Sequence, residues 1–446
     1  MSFNFSSINL WCNKNLVDLE FAIWEILKFS DKFLINYFEN PEDEEVEYVI
    51  INTCWFLSSS REESETTIAY FDELWKKIII LGCYISVKND EFLSGLKNLY
   101  KIVPFINYEI IEDIIFDRKK AKFSLNKEKI QDLKKIWWNQ INTKAFVWKS
   151  DKVRAYMNAP FWYEYLKIAE GCDNNCTFCI IPKIRGRQKS RTIEDIVAEV
   201  KIMLDNWIKE IILIAQDTTR YWVDLYWGPK LIELLEQIEL IEWDFKYRLL
   251  YMYPDNLTLT NLEKLKTFKK FIPYFDIPFQ HISEHILKKM WRFYDKNHIS
   301  NLLDFIKNNF PVYHLRTAFI VWFPGETKED LQELKEFIFK YSFDSIALFE
   351  YHDETLAASS KLPEKVPQKT ALNRIKELDI VINNIYSKKN KSDKWNKFTG
   401  YIMDYDTKKA ILRRELKAPE IDEYDNVTLP KITWNIEIWE KVEYKL

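Results

Sequence analysis

Three cysteines lie close together in the stretch EGCDNNCTFCIIP, and their spacing suggests a metal-binding loop. Cys172, Cys176 and Cys179 form a CxxxCxxC pattern among polar residues. A tetrahedral zinc site would need a fourth protein ligand, and this spacing is not that of a zinc ribbon. Three thiolates can instead hold a 4Fe–4S cluster and leave one iron open to a ligand with an amino and a carboxylate group. The alternative is three ordinary buried cysteines, which the polar loop disfavours.

The other three cysteines each end a short apolar run. Cys12 ends SINLWC, Cys54 ends EYVIINTC and Cys83 ends KKIIILGC, and helix-like spacing separates these runs at 15–29 and 58–75. Strands that alternate with helices predict a parallel sheet, and the carboxyl ends of its strands meet at one edge. We therefore expect these thiols to converge, although they could also be ordinary core cysteines.

A second and longer alternation follows a lysine-rich, irregular segment at 117–150. Helical patterns such as 192–206 and 328–341 separate the strands of this region, and 368–389 predicts one helix that leads outward from it. Six strand candidates lie at 165–170, 209–216, 247–252, 273–279, 315–322 and 345–351. Six βα units predict a partial barrel rather than a complete eight-stranded one. From about residue 393 the pattern changes to short strands with turns, which favours a small all-β barrel.

Composition sets the broad class of the protein. Hydrophobic residues make up 47% of the 446 residues, and 64 basic residues nearly balance 68 acidic ones. This composition is typical of a folded globular protein, and it neither demands nor excludes nucleic-acid binding. No apolar run is long enough to span a membrane, and the N-terminus does not resemble a signal peptide. We expect a cytoplasmic protein, in which cysteines more often bind metals or act in catalysis than form disulfides.

The central region resembles a known superfamily. A CxxxCxxC loop after the first strand of a six-stranded partial barrel is similar to the radical S-adenosylmethionine enzymes. The resemblance implies that Cys172, Cys176 and Cys179 are the catalytic residues that hold a reductive 4Fe–4S cluster. In that family the open iron binds S-adenosylmethionine and passes it one electron, which releases a 5′-deoxyadenosyl radical. Phe178 matches an aromatic residue that is common before the last cysteine, and it is a candidate cofactor contact.

The order of the domains resembles the methylthiotransferases within that superfamily. These enzymes carry a cysteine trio in an N-terminal α/β domain, then the radical barrel, then a small β-barrel of the TRAM type. The resemblance implies a second 4Fe–4S cluster on Cys12, Cys54 and Cys83. It also implies four regions along the chain: an N-terminal methylthiotransferase domain at 1–125, a linker at 126–157, a radical core at 158–390 and a TRAM domain at 391–446.

Local motifs resemble the branch that modifies an aspartate of the twelfth small-subunit ribosomal protein. They are CNKNLVDLE (12–20), IIPKIRGRQKSR (180–191), IAQDTTRYWVD (214–224) and RRELKAPEID (413–422). The resemblance implies that ribosomal protein as substrate, a flavodoxin- or ferredoxin-like electron donor and a sulfur donor as partners. From Tyr401 onward the sequence contains ten acidic and eight basic residues. This slightly acidic balance suits a basic protein substrate better than RNA. The alternatives are the same chemistry on a tRNA adenosine, or a non-catalytic iron–sulfur or zinc-binding RNA adaptor.

Several polar residues at or near the predicted strand ends could contact the cofactor. The candidates are Gln216, Asp217, Arg248, Gln280 and Arg316. Gln216 and Asp217 could equally cap a loop. His281 could also contact the cofactor, but we favour a structural role for this histidine.

Glycine is scarce and tryptophan is abundant in this chain, with 7 Gly against 17 Trp. In four motifs tryptophan stands where the family motif has glycine: LWCN, NTCWF, YWVD and VWFPGE. A bulky side chain is costly where the backbone needs a positive φ, and glycine is the usual residue there. We hypothesise that the source reads UGA as glycine. The native residue would then be glycine at positions that include Trp11, Trp55, Trp207, Trp222 and Trp322.

Overall fold

The computed structural model divides the chain into two compact units. Residues 1–157, 165–173 and 180–203 form the first unit, and residues 158–164, 174–179 and 204–446 form the second. The structure describes residues 2–10, 12–27, 34–87, 90–104, 111–116, 162–226, 228–393, 396–405, 409–428, 438 and 440–445. The predicted linker at 126–157 and the predicted glycine position at Trp11 lie outside the described residues.

The N-terminal sheet is parallel in all its pairings. Its strands are β1 (Ser2–Asn9), β2 (Leu34–Tyr37), β3 (Tyr48–Thr53), β4 (Lys77–Gly82) and β5 (Leu99–Ile102), in the order β2-β1-β3-β4-β5. The central strands β3 and β4 are almost wholly buried. Their continuous apolar sequences are what a parallel sheet with covered faces requires.

The first strand ends earlier than its sequence predicted. We expected it over 7–12, but β1 ends at Asn9. Cys12 instead precedes helix α1 (Asn13–Leu27), because its carbonyl accepts the Leu16 amide in the first turn of that helix. The cysteine is therefore at a helix start, three residues beyond the strand.

The second sheet contains the six predicted central strands. They are β6 (Tyr163–Lys167), β9 (Glu210–Ile214), β10 (Lys246–Leu249), β11 (Phe271–Asp276), β12 (His314–Val321) and β13 (Ser345–Glu350), and their order in the sheet follows the chain. The pairings from β9 to β13 are parallel. A short antiparallel pair, β7 (Ala169–Glu170) and β8 (Lys189–Ser190), was not predicted. This α/β arrangement confirms the predicted fold class for the first two regions.

Helices alternate with these strands. The remaining helices are α2 (Ser58–Glu73), α3 (Asp90–Gly95), α4 (Ile111–Ile115), α5 (Ile181–Ile184), α6 (Ile193–Asp205), α7 (Val223–Tyr226), α8 (Leu231–Glu239), α9 (Leu259–Leu265), α10 (Glu284–Lys289), α11 (Lys296–Asn309), α12 (Lys328–Tyr341) and α13 (Gln368–Asp393). Helix α12 shows why local sequence is informative here. Its N-cap Thr327 and Asp330 exchange side-chain to backbone hydrogen bonds in a capping box, which fixes the helix start.

The C-terminal region forms an antiparallel sheet. Its strands are β14 (Lys397–Tyr405), β15 (Lys409–Arg414), β16 (Asp425–Thr428) and β17 (Lys441–Lys445), in the order β16-β15-β14-β17. One buried carboxylate ties this sheet to the central strands. Glu210 accepts Arg413 Nη2 at 2.8 Å and Arg248 Nε at 2.6 Å.

Tryptophan occupies many backbone positions that favour glycine. Among the residues that the structure describes, six tryptophans have a positive φ between 56° and 76°: Trp75, Trp162, Trp207, Trp222, Trp291 and Trp322. A left-handed backbone costs about 1–2 kcal/mol for a residue with a Cβ. The structure therefore supports the glycine hypothesis at Trp207, Trp222 and Trp322. Trp55 has no positive φ, so the hypothesis at that position rests on its motif alone.

No helix in the described part of the chain is both long enough and apolar enough to cross a membrane.

Candidate functional site

The three N-terminal cysteines lie at the carboxyl ends of three neighbouring parallel strands. Thr53 and Gly82 are paired in the register of β3 and β4, so Cys54 and Cys83 each follow their strand directly. Strand β1 lies on the other side of β3, and Cys12 follows it after a short turn. The topology therefore places the three cysteines at one edge of the sheet, and their role as ligands of one cluster stays a prediction.

Hydrogen bonds from neighbouring side chains hold this edge. Asn15 donates to the carbonyl of Thr53 at 3.1 Å, and its Oδ1 lies 3.8 Å from the Cys83 Sγ. The Ser64 hydroxyl accepts the Cys54 amide at 3.2 Å. Burial raises the pKa of the Cys83 thiol to about 12, although the Arg185 guanidinium acts in the opposite direction. A bound metal would therefore have to displace a proton from a thiol that this environment keeps protonated.

A buried group of four charges lies next to this edge. Arg185 Nη1 donates to Asp18 Oδ2 at 3.1 Å and to both oxygens of Glu170 at 3.0 Å. Lys167 donates to Glu170 at 2.8 Å and also pairs with Asp18. All four side chains are less than a tenth exposed. The sequence motifs around Asp18 and Arg185 were noted, but nothing in their local spacing signalled this contact.

The CxxxCxxC loop begins at a turn that needs glycine. Gly171 has a φ of +71°, and a Cβ there would lie 2.2 Å from the carbonyl oxygen of Arg187. The next residue, Cys172, donates its amide to the carbonyl of Gly186 at 3.1 Å. The start of the loop is thus held against the segment that follows helix α5.

The second half of the loop is held by a different set of residues. Thr177 donates its hydroxyl to the carbonyl of Lys289 at 2.8 Å and its amide to that of Met290 at 3.1 Å. Phe178 packs edge to face against Phe323, with ring centroids 6.5 Å apart. Phe178 is therefore part of a small apolar cluster, and its role as a cofactor contact stays a prediction.

Arg292 is a site residue that the sequence reasoning missed. It is 5% exposed, and its guanidinium carbon lies 4.2 Å from the ring centroid of Tyr253 and 5.7 Å from that of Phe178. The Tyr253 hydroxyl lies 3.8 Å from the Cys176 Sγ. Arg292 Nε is buried without a hydrogen-bond partner among the described residues. A desolvated cation of this kind favours an anionic group beside it.

Asp217 caps a short helical turn at the end of β9. Its Oδ1 accepts the Thr219 amide at 3.0 Å, and its Oδ2 accepts Asn174 Nδ2 at 2.8 Å. Burial raises the pKa of Asp217, against the hydrogen bonds from Thr219 and Asn174. The capping role that we considered is present. Through Asn174, Asp217 also supports the cysteine loop. Gln216 is half-buried beside it, and its role as a cofactor ligand stays a prediction.

The two predicted arginines use their guanidinium groups within the protein. Arg248 is fully buried and donates to Glu210 and to the carbonyls of Glu415 and Leu416. Glu210 is the first residue of β9, so this contact lies at the amino end of that strand, opposite the expected ligand edge. Arg316 donates to Asp276 at 2.6 Å. A cofactor role for either arginine stays a prediction that no contact here supports.

Gln280 has a strained backbone shortly after strand β11 of the central sheet. Its φ is +67°, and its carbonyl accepts the Ile320 amide at 2.8 Å. Strain of this kind often accompanies functional sites. His281, next to it, is fully buried, and burial lowers its pKa to about 4. Its Nδ1 accepts the Ser283 amide at 3.0 Å, which fits the structural role that we expected.

The donor chemistry of both trios fits an iron–sulfur cluster. Thiolates are soft ligands that select iron–sulfur clusters, and three of them leave one iron open. Cys54, Cys83 and Cys172 are buried and the other three are half-buried, so both sites are shielded but reachable. Within the described ranges no three His, Cys, Asp or Glu side chains already form a metal-binding group. The assignment therefore depends on the thiols' chemistry and their places at the strand ends.

Comparison with known families defines the class of the protein. The model of the radical SAM superfamily matches residues 166–338, which include the CxxxCxxC loop and most of the central sheet. A second family, described as uncharacterized protein family UPF0004, matches residues 5–103. The chain thus combines a radical SAM region with a separate N-terminal domain that carries the first cysteine trio.

Curated relatives resolve the family further. The protein named ribosomal protein uS12 methylthiotransferase RimO from Clostridioides difficile is 33% identical over 98% of this chain and 95% of its own length. The proteins of that name from Dictyoglomus thermophilum and Aquifex aeolicus are each 35% identical, over 98% and 93% of this chain and 96% and 88% of their own lengths. This chain belongs to the uS12 methylthiotransferase family of radical SAM enzymes. The predicted family, enzyme class and cofactors, 4Fe–4S clusters and S-adenosylmethionine, are confirmed by this membership.

Solved structures agree on the fold. The radical SAM methyltransferase TsrM from Kitasatospora setae aligns with a TM-score of 0.57 at 14% identity, over 78% of this chain and 75% of its own. The cobalamin-dependent radical enzyme OxsB aligns with a TM-score of 0.55 at 13% identity, over 84% and 56% of the two chains. At these identities the likeness concerns the fold alone.

Proposed function

We propose that this protein adds a methylthio group to the β-carbon of an aspartate of ribosomal protein uS12. The observation that carries the proposal is the near full-length similarity to uS12 methylthiotransferases, together with two cysteine trios at the two places that such chemistry needs. The carbon is unactivated, so hydrogen abstraction must precede formation of the C–S bond. A second S-adenosylmethionine would donate the methyl group.

The residues of the chain divide the work between two centres. Cys172, Cys176 and Cys179 would hold the radical cluster, and Cys12, Cys54 and Cys83 the auxiliary one. When bound, the first supplies the electron that cleaves S-adenosylmethionine, and the second supplies the place where sulfur is held. Phe178 of the cysteine loop packs against an apolar cluster, and such packing would help to exclude water from the site.

Arg292 would provide the buried positive charge beside Cys176. Its guanidinium lies over the ring of Tyr253, whose hydroxyl reaches the same sulfur. Either the thiolate-bound cluster or the carboxylate of S-adenosylmethionine would satisfy this charge.

The finer organisation is part of the same proposal. The antiparallel C-terminal sheet would be a TRAM-type barrel at 391–446, preceded by a radical core at 158–390, a linker at 126–157 and an N-terminal domain at 1–125. An electron donor of the flavodoxin or ferredoxin kind and a separate sulfur donor would complete the reaction. Because the substrate would be a ribosomal protein, either free or on the ribosome, the enzyme would act in the cytoplasm.

Two cysteine variants test the division of work. Replacing Cys172, Cys176 and Cys179 with alanine should abolish both 5′-deoxyadenosine release and product. Replacing Cys12, Cys54 and Cys83 should abolish methylthio product while 5′-deoxyadenosine is still released. Loss of 5′-deoxyadenosine in the second variant, with four irons per chain retained, would contradict the assignment.

A further inference from the structure

Arg185 connects the cysteine loop of the radical region with the N-terminal trio. It follows helix α5 directly, only six residues after Cys179. Its side chain is nevertheless buried against α1 of the N-terminal domain, where it donates to Asn15 and Asp18. The same guanidinium donates to Glu170, two residues before Cys172.

The guanidinium of Arg185 and the thiol of Cys83 share one hydrogen-bonding neighbour. That neighbour is Asn15, whose Oδ1 accepts Arg185 Nη2 and lies 3.8 Å from the Cys83 Sγ. A buried positive charge is thus close to a predicted cluster ligand.

The buried charges around Arg185 balance one another before any thiolate is counted. Arg185 and Lys167 are matched by Asp18 and Glu170, and all four are buried. Three thiolates at the sheet edge would add negative charge where little solvent screens it. Hydrogen bonds and net charge around cluster sulfurs help to set the reduction potential of a cluster.

We propose that Arg185 is a positioning residue of the auxiliary centre, where its guanidinium raises the reduction potential and links that centre to the CxxxCxxC loop through Glu170. The inference rests on the proposed auxiliary cluster at Cys12, Cys54 and Cys83. It requires that removing the positive charge lowers the potential of that cluster, and that removing the opposing negative charge of Asp18 raises it.

The test uses the full chain with Cys172, Cys176 and Cys179 replaced by alanine, so that the auxiliary cluster is the only cluster that contributes to the EPR signal. Its midpoint potential is measured by an EPR-monitored redox titration, with iron content as the loading check. In Arg185→Met we expect the midpoint potential to fall. The equilibrium constant for reduction should decrease at least tenfold, which corresponds to about 59 mV for a one-electron couple. In Asp18→Asn we expect a shift in the opposite direction.

Arg191→Met is the matched control. Arg191 is as buried as Arg185 and also pairs with two carboxylates, those of Asp195 and Glu199. It should lose stability without changing the potential.

Unchanged potentials in loaded Arg185→Met and Asp18→Asn would overturn the inference. If Arg185→Met does not load iron, Asp18→Asn decides, since an upward shift supports the inference and no shift overturns it. If the parent chain holds no cluster once the loop cysteines are removed, the assignment of the auxiliary cluster is wrong, and the inference about Arg185 is wrong with it. Iron content distinguishes that failure from the others.

Discussion

The guanidinium carbon of Arg292 lies 4.2 Å from the ring centroid of Tyr253, whose hydroxyl reaches to within 3.8 Å of the Cys176 sulfur. Tyr253 therefore contacts both the buried cation of Arg292 and Cys176 of the CxxxCxxC loop. Arg292 comes from the segment after helix α10, more than a hundred residues beyond the loop. No cofactor role was predicted for it from the sequence.

Replacing Arg292 with methionine should slow the cleavage of S-adenosylmethionine. Hydrogen bonds to charged groups contribute about 1.5–3 kcal/mol, so we expect a loss of about 10- to 100-fold. The measurement is the rate of 5′-deoxyadenosine formation per loaded cluster. Arg413→Met is the control, because Arg413 is also buried over a tyrosine ring, 5.0 Å from the centroid of Tyr401. Equal losses in both variants would show that the effect is one of general stability.

Replacing Glu210 with alanine should destabilise the attachment of the C-terminal sheet. Glu210 is 2% exposed and pairs with both Arg248 and Arg413. Removing one partner from a buried ion pair costs about 3–5 kcal/mol, because the remaining charges stay buried without compensation. The shift of the urea unfolding midpoint measures this cost.

The control for Glu210 is Glu236, which pairs with Lys264 at 3.5 Å and has a side chain that is 45% exposed. Glu236→Ala should change the stability by less than about 1 kcal/mol. A midpoint for Glu210→Ala no lower than that of the control would contradict the role of Glu210.

Glu170 should make the stability of the apoprotein depend on acid. Burial raises the pKa of Glu170, but Arg185 and Lys167 outweigh it and lower that pKa from 4.5 to about 2. The folded state therefore binds this proton less readily than the unfolded state. The stabilisation is fully present above pH 4.5 and is lost as the pH falls towards 2. Unfolding free energies across that window should fall less steeply in Glu170→Gln than in the parent chain, and identical slopes would refute the prediction.

Replacing Trp207 with glycine should stabilise the protein. Trp207 has a φ of +67° and a side chain that is 78% exposed, so little packing is lost. We expect the free energy of unfolding to rise by about 1–2 kcal/mol from relief of the left-handed backbone. Trp243 is also exposed but has no positive φ, so Trp243→Gly should bring no gain.

Peptide masses of the protein from its natural source test the decoding hypothesis directly. Tryptophan at position 322 in that material would reject the hypothesis.

Much of the fold was readable from local sequence. The strands of the parallel sheets are short apolar runs between amphipathic helices, and capping pairs such as Thr327 and Asp330 mark where helices begin. The placement of Cys12, Cys54 and Cys83 near one edge of the first sheet was also predictable, because the carboxyl ends of parallel strands lie at the same edge. The misplaced end of β1 shows the limit, since the start of α1 took over the residues around Cys12.

The contacts around the trios depend on pairings between distant parts of the chain. Arg185 and Asp18 are 167 residues apart, and no local pattern brings them together. The charge count of the C-terminal region shows the same difficulty. Arg413 and Asp425 were both included in that count, but Arg413 is buried in an ion pair with Glu210 and Asp425 in one with Arg414. Composition does not tell which charges face solvent.

The mass of the substrate tests the central claim most directly. Anaerobically reconstituted enzyme would be incubated with S-adenosylmethionine, a reductant, sulfide and either ribosomal protein uS12 or tRNA. The account predicts a methylthio-sized gain on an aspartate-containing peptide of uS12 and none on tRNA. A gain on tRNA alone would contradict the substrate, and no gain on either with no 5′-deoxyadenosine would contradict the radical chemistry itself.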